Sequence, residues 1–228
     1  MNRATRPCHA VLFDLDGTLV DTAPDLGLAL NLLRGRHGQP PLPDSEIRPH
    51  ASHGARGLLQ AGFGLSAEHP EFEAYRSEFL NLYAENICRD SRLFDGILEL
   101  LDTLEARRIP WGVVTNKPAR FTEPLLSLLN LAERAATIVS GDTCREPKPH
   151  PDPMHYAASE LGLTPAACLY VGDAERDVDA ARAAGMQAVV ALWGYLAGHD
   201  RPQDWGAIAC IAAPGEVLNF LAPSPSIA

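Results

Sequence analysis

The chain has 228 residues, 46% of them hydrophobic, enough for one sizeable core and a smaller second one without disulfide staples. Its formal net charge of −10 excludes nucleic acid and anionic membranes as default partners, because both select a basic footprint. A small anionic ligand remains compatible, since a bound cation or a Lys/Arg cluster can invert the field inside one pocket.

The N-terminal residues before the first acidic motif hold no apolar run of secretion-signal length. No segment reaches the roughly 18 to 20 unbroken apolar residues of a membrane helix. The five cysteines are scattered and form no CxxC pair. Together these features predict a reduced, cytoplasmic protein with neither a disulfide framework nor a zinc site.

In chain order, HAVLFDLD (9–16) predicts a buried strand that ends on Asp14 and Asp16. Residues 22–88 then lack a convincing strand. They hold helical stretches at about 23–36, 54–61 and 70–86, with the Pro-rich GQPPLPDSEIRP read as a loop between the first two. In the third stretch Phe72, Tyr75, Phe79 and Leu82 recur at spacings of three and four, a stripe read as core. Beyond it, helices predicted at 96–108, 120–129, 152–161 and 175–184 alternate with the strands PWGVVTN, ATIVSG, ACLYVGD, QAVVALWG and AIACIAA. Repeated strand–helix–strand units predict an α/β fold. Its core is a doubly wound, Rossmann-like parallel sheet formed by 1–21 and 89–228, with a small α-helical cap, 22–88, inserted after the first strand.

In an open parallel sheet, ligands bind beyond the carboxyl ends of the strands. Those ends carry Asp14 and Asp16, then Thr115-Asn116-Lys117, then Asp173, with Asp177 one helical turn later. The loop REPKPHPDP adds Lys148. Two like charges 4 Å apart repel by about 4 kcal/mol at an effective dielectric near 20, so such a cluster calls for a cation. Oxygen-only donors without His or Cys suit Mg²⁺ better than zinc. Asp21, past the acidic pair, reads as structural, at the junction to the insert. Within the insert, SHGARG presents a possible helix start; His53 and Arg56 are candidate substrate contacts there, with a solvated loop as the equal alternative.

DLDGTLVD, VVTNKP, KPHPDP and VGDAERD resemble, in order, the four motifs of the haloacid dehalogenase-like hydrolases, and the resemblance spans nearly the whole chain. It implies a Mg²⁺-dependent phosphatase of small anionic phosphomonoesters, with Asp14 as nucleophile and Asp16 as acid and base. Thr115 and Asn116 would hold the phosphoryl oxygens and Lys148 would neutralise charge. Asp14, Asp173 and the backbone carbonyl of Asp16 would hold the metal, with Asp177 beside it. The longer stretches SRLFDG, WGVVTNKPARFTEP and LAERA are similar to the phosphoglycolate phosphatase-type branch, most of all to N-acetylmuramic acid 6-phosphate phosphatases of cell-wall recycling. This makes phosphoglycolate and N-acetylmuramic acid 6-phosphate the expected substrates. Where that branch tends to carry two glycines before its Ala-Arg, this chain reads Ser52-His53-Gly54-Ala55-Arg56. Two alternatives stay open: a sugar-phosphate mutase of the same superfamily, and a phospho-accepting signalling receiver, against which the DxDGT pattern and the insert both argue. Nothing in the sequence points to a macromolecular partner.

Overall fold

The computed structural model describes residues 6–223. Strand β1 (Ala10–Phe13) leads into a small ribbon, β2 (Val20–Asp21) pairing antiparallel with β3 (Arg92–Leu93). Between the two halves of that ribbon lie four helices: α1 (Ala23–Arg36), α2 (Asp44–Ile47), α3 (Gly54–Phe63) and α4 (Phe72–Glu85). Periodicity could not reveal the ribbon, because two residues are too few to show alternation. The stretch 38–49, read from its prolines as a loop, in fact contains α2 and then a 3₁₀ segment that runs on to His53. Buried Ile47 anchors that helical turn against the other helices of the insert.

After the ribbon, α5 (Ile97–Ala106), β4 (Trp111–Val114), α6 (Ala119–Leu128) and β5 (Thr137–Val139) wind towards one edge. Next come α7 (Asp152–Glu160), β6 (Cys168–Gly172), α8 (Glu175–Ala183), β7 (Gln187–Ala191) and β8 (Ala209–Ile211), which build the other half. The result is a six-stranded parallel sheet in the order β5-β4-β1-β6-β7-β8, with β1 paired to both β4 and β6. The winding reverses around β1, so the crevice that such sheets offer to ligands opens at the carboxyl ends of β1, β4 and β6.

Because a strand's side chains alternate between faces, a sheet covered on both sides needs apolar residues at every position. β1 meets this demand: Val11 and Phe13 pack into the core beneath α5 and α6, while Ala10 and Leu12 enter the core shared with α7 and α8. The insert has its own apolar cluster, including Leu26, Leu30, Leu58 and Phe79, joined by Phe121 and Tyr195 from the α/β part. On α4, Phe72, Phe79 and Leu82 of the expected stripe are buried, along with Leu80 and Tyr83, whereas Tyr75 is half-buried. Among the described residues no helix is long and apolar enough to cross a membrane.

Candidate active site

The carboxyl ends of β1 and β6 bring Asp14 and Asp173 together, and the first turn of α8 adds Asp177. Each offers a carboxylate oxygen within 4.8 Å of the others, and all three are buried. Burial pushes the Asp173 carboxyl up to about 7, with the charges of Asp14 and Asp177 adding to the effect. Asp177 moves upward for the same leading reason, against the pull of Lys148. Three buried carboxylates this close together form a donor set suited to a hard divalent cation.

Lys148, fully buried, reaches this cluster from the loop before α7. Its Nζ lies 2.9 Å from Asp14 Oδ1 and 2.7 Å from Asp177 Oδ1, and also donates to the Tyr170 hydroxyl at 2.7 Å. The Leu15 N–H donates to the same Asp14 oxygen at 2.8 Å. Asp14 Oδ2 has no hydrogen bond among the described residues. The second oxygen of Asp177 accepts the Ala174 N–H, so Asp177 also caps the helix that carries it.

Asp173 is held on every side. Its Oδ1 accepts from the Thr18 hydroxyl, and its Oδ2 accepts from the Tyr195 N–H at 2.9 Å and the Ser52 hydroxyl at 2.8 Å. Gly17 faces this carboxylate at φ +88°, a left-handed conformation that only glycine adopts without strain. Ser52 belongs to the insert, and its carbonyl accepts from Arg176 at 2.7 Å. The insert is thereby latched onto the acidic cluster.

Asp16 sits slightly apart from the cluster. Its Oδ1 accepts from the Thr22 hydroxyl at 2.6 Å and the Lys117 ammonium at 2.9 Å, leaving Oδ2 without a hydrogen bond among the described residues. Burial works against the Lys117 ammonium, but Asp16 and Tyr83 outweigh it and its pKa rises. The Thr115 hydroxyl accepts the Lys117 N–H, and it still has its own proton to donate. The Asn116 side chain is engaged elsewhere: its amide donates to the Lys148 carbonyl and its oxygen accepts the Lys148 N–H. That side chain therefore positions the lysine loop, and the Asn116 main-chain N–H, unpartnered among the described residues, is what remains for an anion.

A cavity of about 400 Å³ opens over Asp14 and Asp16, with Thr115 and Asn116 on its floor. Its roof comes from the insert and includes His53 and Arg56, the two candidates singled out there. Lys117 and Arg176 lie inside VVTNKP and VGDAERD, but their roles here are not legible in those motifs, because burial and direction are invisible in a motif. Tyr195, just past β7, both packs into the insert's apolar cluster and supports the site. Its hydroxyl donates to Asp21 and accepts the N–H groups of Thr22 and Ala23, tying the end of β7 to the start of the insert. Asp21 also receives Arg48 at 2.9 Å on both oxygens, a structural role as expected.

The haloacid dehalogenase-like hydrolase family model matches residues 11–191. Over 212 residues the chain is 43% identical to the N-acetylmuramic acid 6-phosphate phosphatase of Pseudomonas aeruginosa, an alignment covering 93% of this chain and 94% of that protein. Over 218 residues it is 42% identical to the phosphoglycolate phosphatase of Xanthomonas campestris pv. campestris, covering 95% and 98%. The crystal structure of a predicted phosphoglycolate phosphatase from Haemophilus somnus superposes with a TM-score of 0.82 at 28% identity, covering 95% of this chain and 99% of that one.

Proposed function

We infer the reaction from the premise that this chain belongs to the haloacid dehalogenase-like hydrolase family. It is a phosphatase, and its substrate is a small phosphomonoester. The observation that carries this reading is Asp14: one oxygen is fixed by Lys148 and the Leu15 N–H, and the other is left free at the cavity floor.

Asp14 Oδ2 attacks phosphorus, the ester P–O bond breaks, and the Asp16 carboxyl gives its proton to the departing alkoxide. Asp16 then takes a proton from water as that water attacks phosphorus. The Asp14–phosphoryl bond breaks, inorganic phosphate leaves and the Asp14 carboxylate is restored. Lys148 offsets the repulsion between the attacking carboxylate and the phosphoryl group. The Thr115 hydroxyl and the Asn116 main-chain N–H donate to phosphoryl oxygens. Lys117 and Thr22 keep Asp16 in place between its two proton transfers.

Asp14, Asp173 and the Asp16 carbonyl would hold Mg²⁺, with Asp177 beside them. The ion would supply charge neutralisation for the phosphoryl oxygens. The insert closes over the cavity and excludes water from the intermediate. Of the two expected substrates, a cavity of about 400 Å³ with apolar walls suits N-acetylmuramic acid 6-phosphate better than the much smaller 2-phosphoglycolate.

The test is phosphate release by purified protein with Mg²⁺ on both compounds and on common sugar phosphates, with Asp14→Asn as control. Turnover in the wild type is expected to fall by at least about a thousandfold in the variant, the scale of losing a nucleophile. Substantial phosphate release by Asp14→Asn overturns the covalent mechanism. An isomerised sugar phosphate without phosphate release identifies a mutase instead.

A further inference from the structure

Helix α4 does more than fill the insert's core. Arg76, Phe79, Leu80 and Tyr83 all line the cavity, and their spacing of three, four and seven places them on one face of the helix. This face is chemically graded. Tyr83, at one end, lies beneath the Lys117 ammonium, 4.5 Å from its ring centre, and that ammonium is bonded to Asp16. Phe79 and Leu80, buried, form an apolar middle, and Phe121 faces the cavity from the α/β part. Arg76 ends the series two helical turns away, about 10 Å along the axis from Tyr83 at 1.5 Å per residue. Its one ion-pair partner among the described residues is Glu73, 3.2 Å away and well exposed, a pairing of the kind that contributes little and is easily exchanged.

The geometry points to α4 as a ruler and to Arg76 as the residue that reads a carboxylate at the far end of the substrate. This rests on the phosphatase reading above and deepens it. A substrate anchored by phosphorus at Asp14 needs an apolar or ring-sized spacer before its second anion to reach Arg76. In N-acetylmuramic acid 6-phosphate a sugar ring and a lactyl ether separate the two groups. In 2-phosphoglycolate one oxygen and one methylene separate them, and the two ends cannot span the helix face. Arg76 thus selects for a phosphomonoester with a distant carboxylate and against a short one. Arg56, from the start of α3, lies on the same roof without being part of this graded face.

The test compares kcat/KM for N-acetylmuramic acid 6-phosphate and for N-acetylglucosamine 6-phosphate, which lacks the lactyl carboxylate, in wild type, Arg76→Ala, Arg76→Lys and Arg56→Ala. The ratio between the two substrates should fall by about 10- to 100-fold in Arg76→Ala, the range for losing a charged hydrogen bond. Arg76→Lys should recover part of that loss, and melting temperatures should stay together. A uniform fall on both substrates assigns Arg76 a structural role and overturns the ruler. So does an unaltered ratio, or a selective loss in Arg56→Ala alone. A wild type that cleaves 2-phosphoglycolate but not the sugar acid also overturns the ruler, with the phosphatase reading intact. A wild type that releases phosphate from no phosphomonoester overturns both.

Discussion

At Gly194 the space where a side chain would stand is filled by Asp173 and by the main-chain oxygen of Gly17. A methyl group there would meet the Gly17 oxygen at 2.6 Å and the Asp173 carboxyl carbon at 2.8 Å. The nearest atom of all, Asp173 Cβ, is fixed by the main chain, so rotating the carboxylate cannot relieve the clash; the backbone must shift and carry Asp173 away from the Tyr195 N–H and the Ser52 hydroxyl that hold it. Overpacking of this kind costs about 1–3 kcal/mol. If that cost falls on the carboxylate's position, Gly194→Ala should lower kcat/KM at saturating Mg²⁺ by roughly 5- to 100-fold. It should also raise the Mg²⁺ concentration for half-maximal activity. An unaltered Mg²⁺ dependence would show that Asp173 does not take part in holding the metal. The sequence made Asp173 legible because a carboxylate just past a buried strand has few purely structural uses. It could not make Gly194 legible, since the need for glycine arises from a residue 21 positions earlier in the chain.

At the scale of elements, the insert is fastened by a buried carboxylate rather than by extended pairing. The β2–β3 ribbon is two residues wide, too short to fix an orientation on its own. Asp25, fully buried in the first turn of α1, accepts the Asp90 and Ser91 N–H groups and the Ser91 hydroxyl, so one residue clamps the entering and returning chains together. Asp25→Ala would leave these donors buried without partners, at about 1–3 kcal/mol each for those that water cannot reach. For a chain of this size each kcal/mol shifts Tm by about 2–4 °C, so a drop of roughly 5–15 °C is expected by thermal unfolding. A drop under about 2 °C, the lower limit for a single unsatisfied bond on that scale, would mean that the clamp contributes nothing. The long elements on both sides of this clamp were readable in the sequence: β1, β4, β6 and β7 as apolar runs, α4 by its apolar stripe, and α1 as a helical stretch. The ribbon, α2 and the clamp were not. They depend on residues 60 or more positions apart, or on segments only about one period long. The α4 stripe was readable as apolar but not as one wall of a cavity, because hydrophobic spacing does not tell a core neighbour from a ligand.

Across the whole molecule the charge problem is local and extreme. A chain of net charge −10 concentrates three buried carboxylates within 4.8 Å at the switch point of its sheet. Lys148 meets two of them, and Arg176 lies near enough to be held charged by all three. Among the described residues no cation is bonded to Asp173, and burial with the charges of Asp14 and Asp177 disfavours its ionised form. Such an arrangement costs stability, and a bound divalent ion would relieve it, a trade of stability for function common at such sites. Two measurements follow from that imbalance. Mg²⁺ at about 100 times its dissociation constant should add about 2.7 kcal/mol, raising the wild-type Tm by roughly 5–10 °C over protein stripped with chelator. Asp173→Asn removes the disfavoured charge while leaving an oxygen for the Tyr195 and Ser52 donors, so the stripped variant should melt no lower than the stripped wild type. It should also lose most of the Mg²⁺-induced rise. A variant that melts well below the stripped wild type would mean that the carboxylate's hydrogen bonds outweigh its repulsion. A full Mg²⁺ response in the variant would place the ion elsewhere.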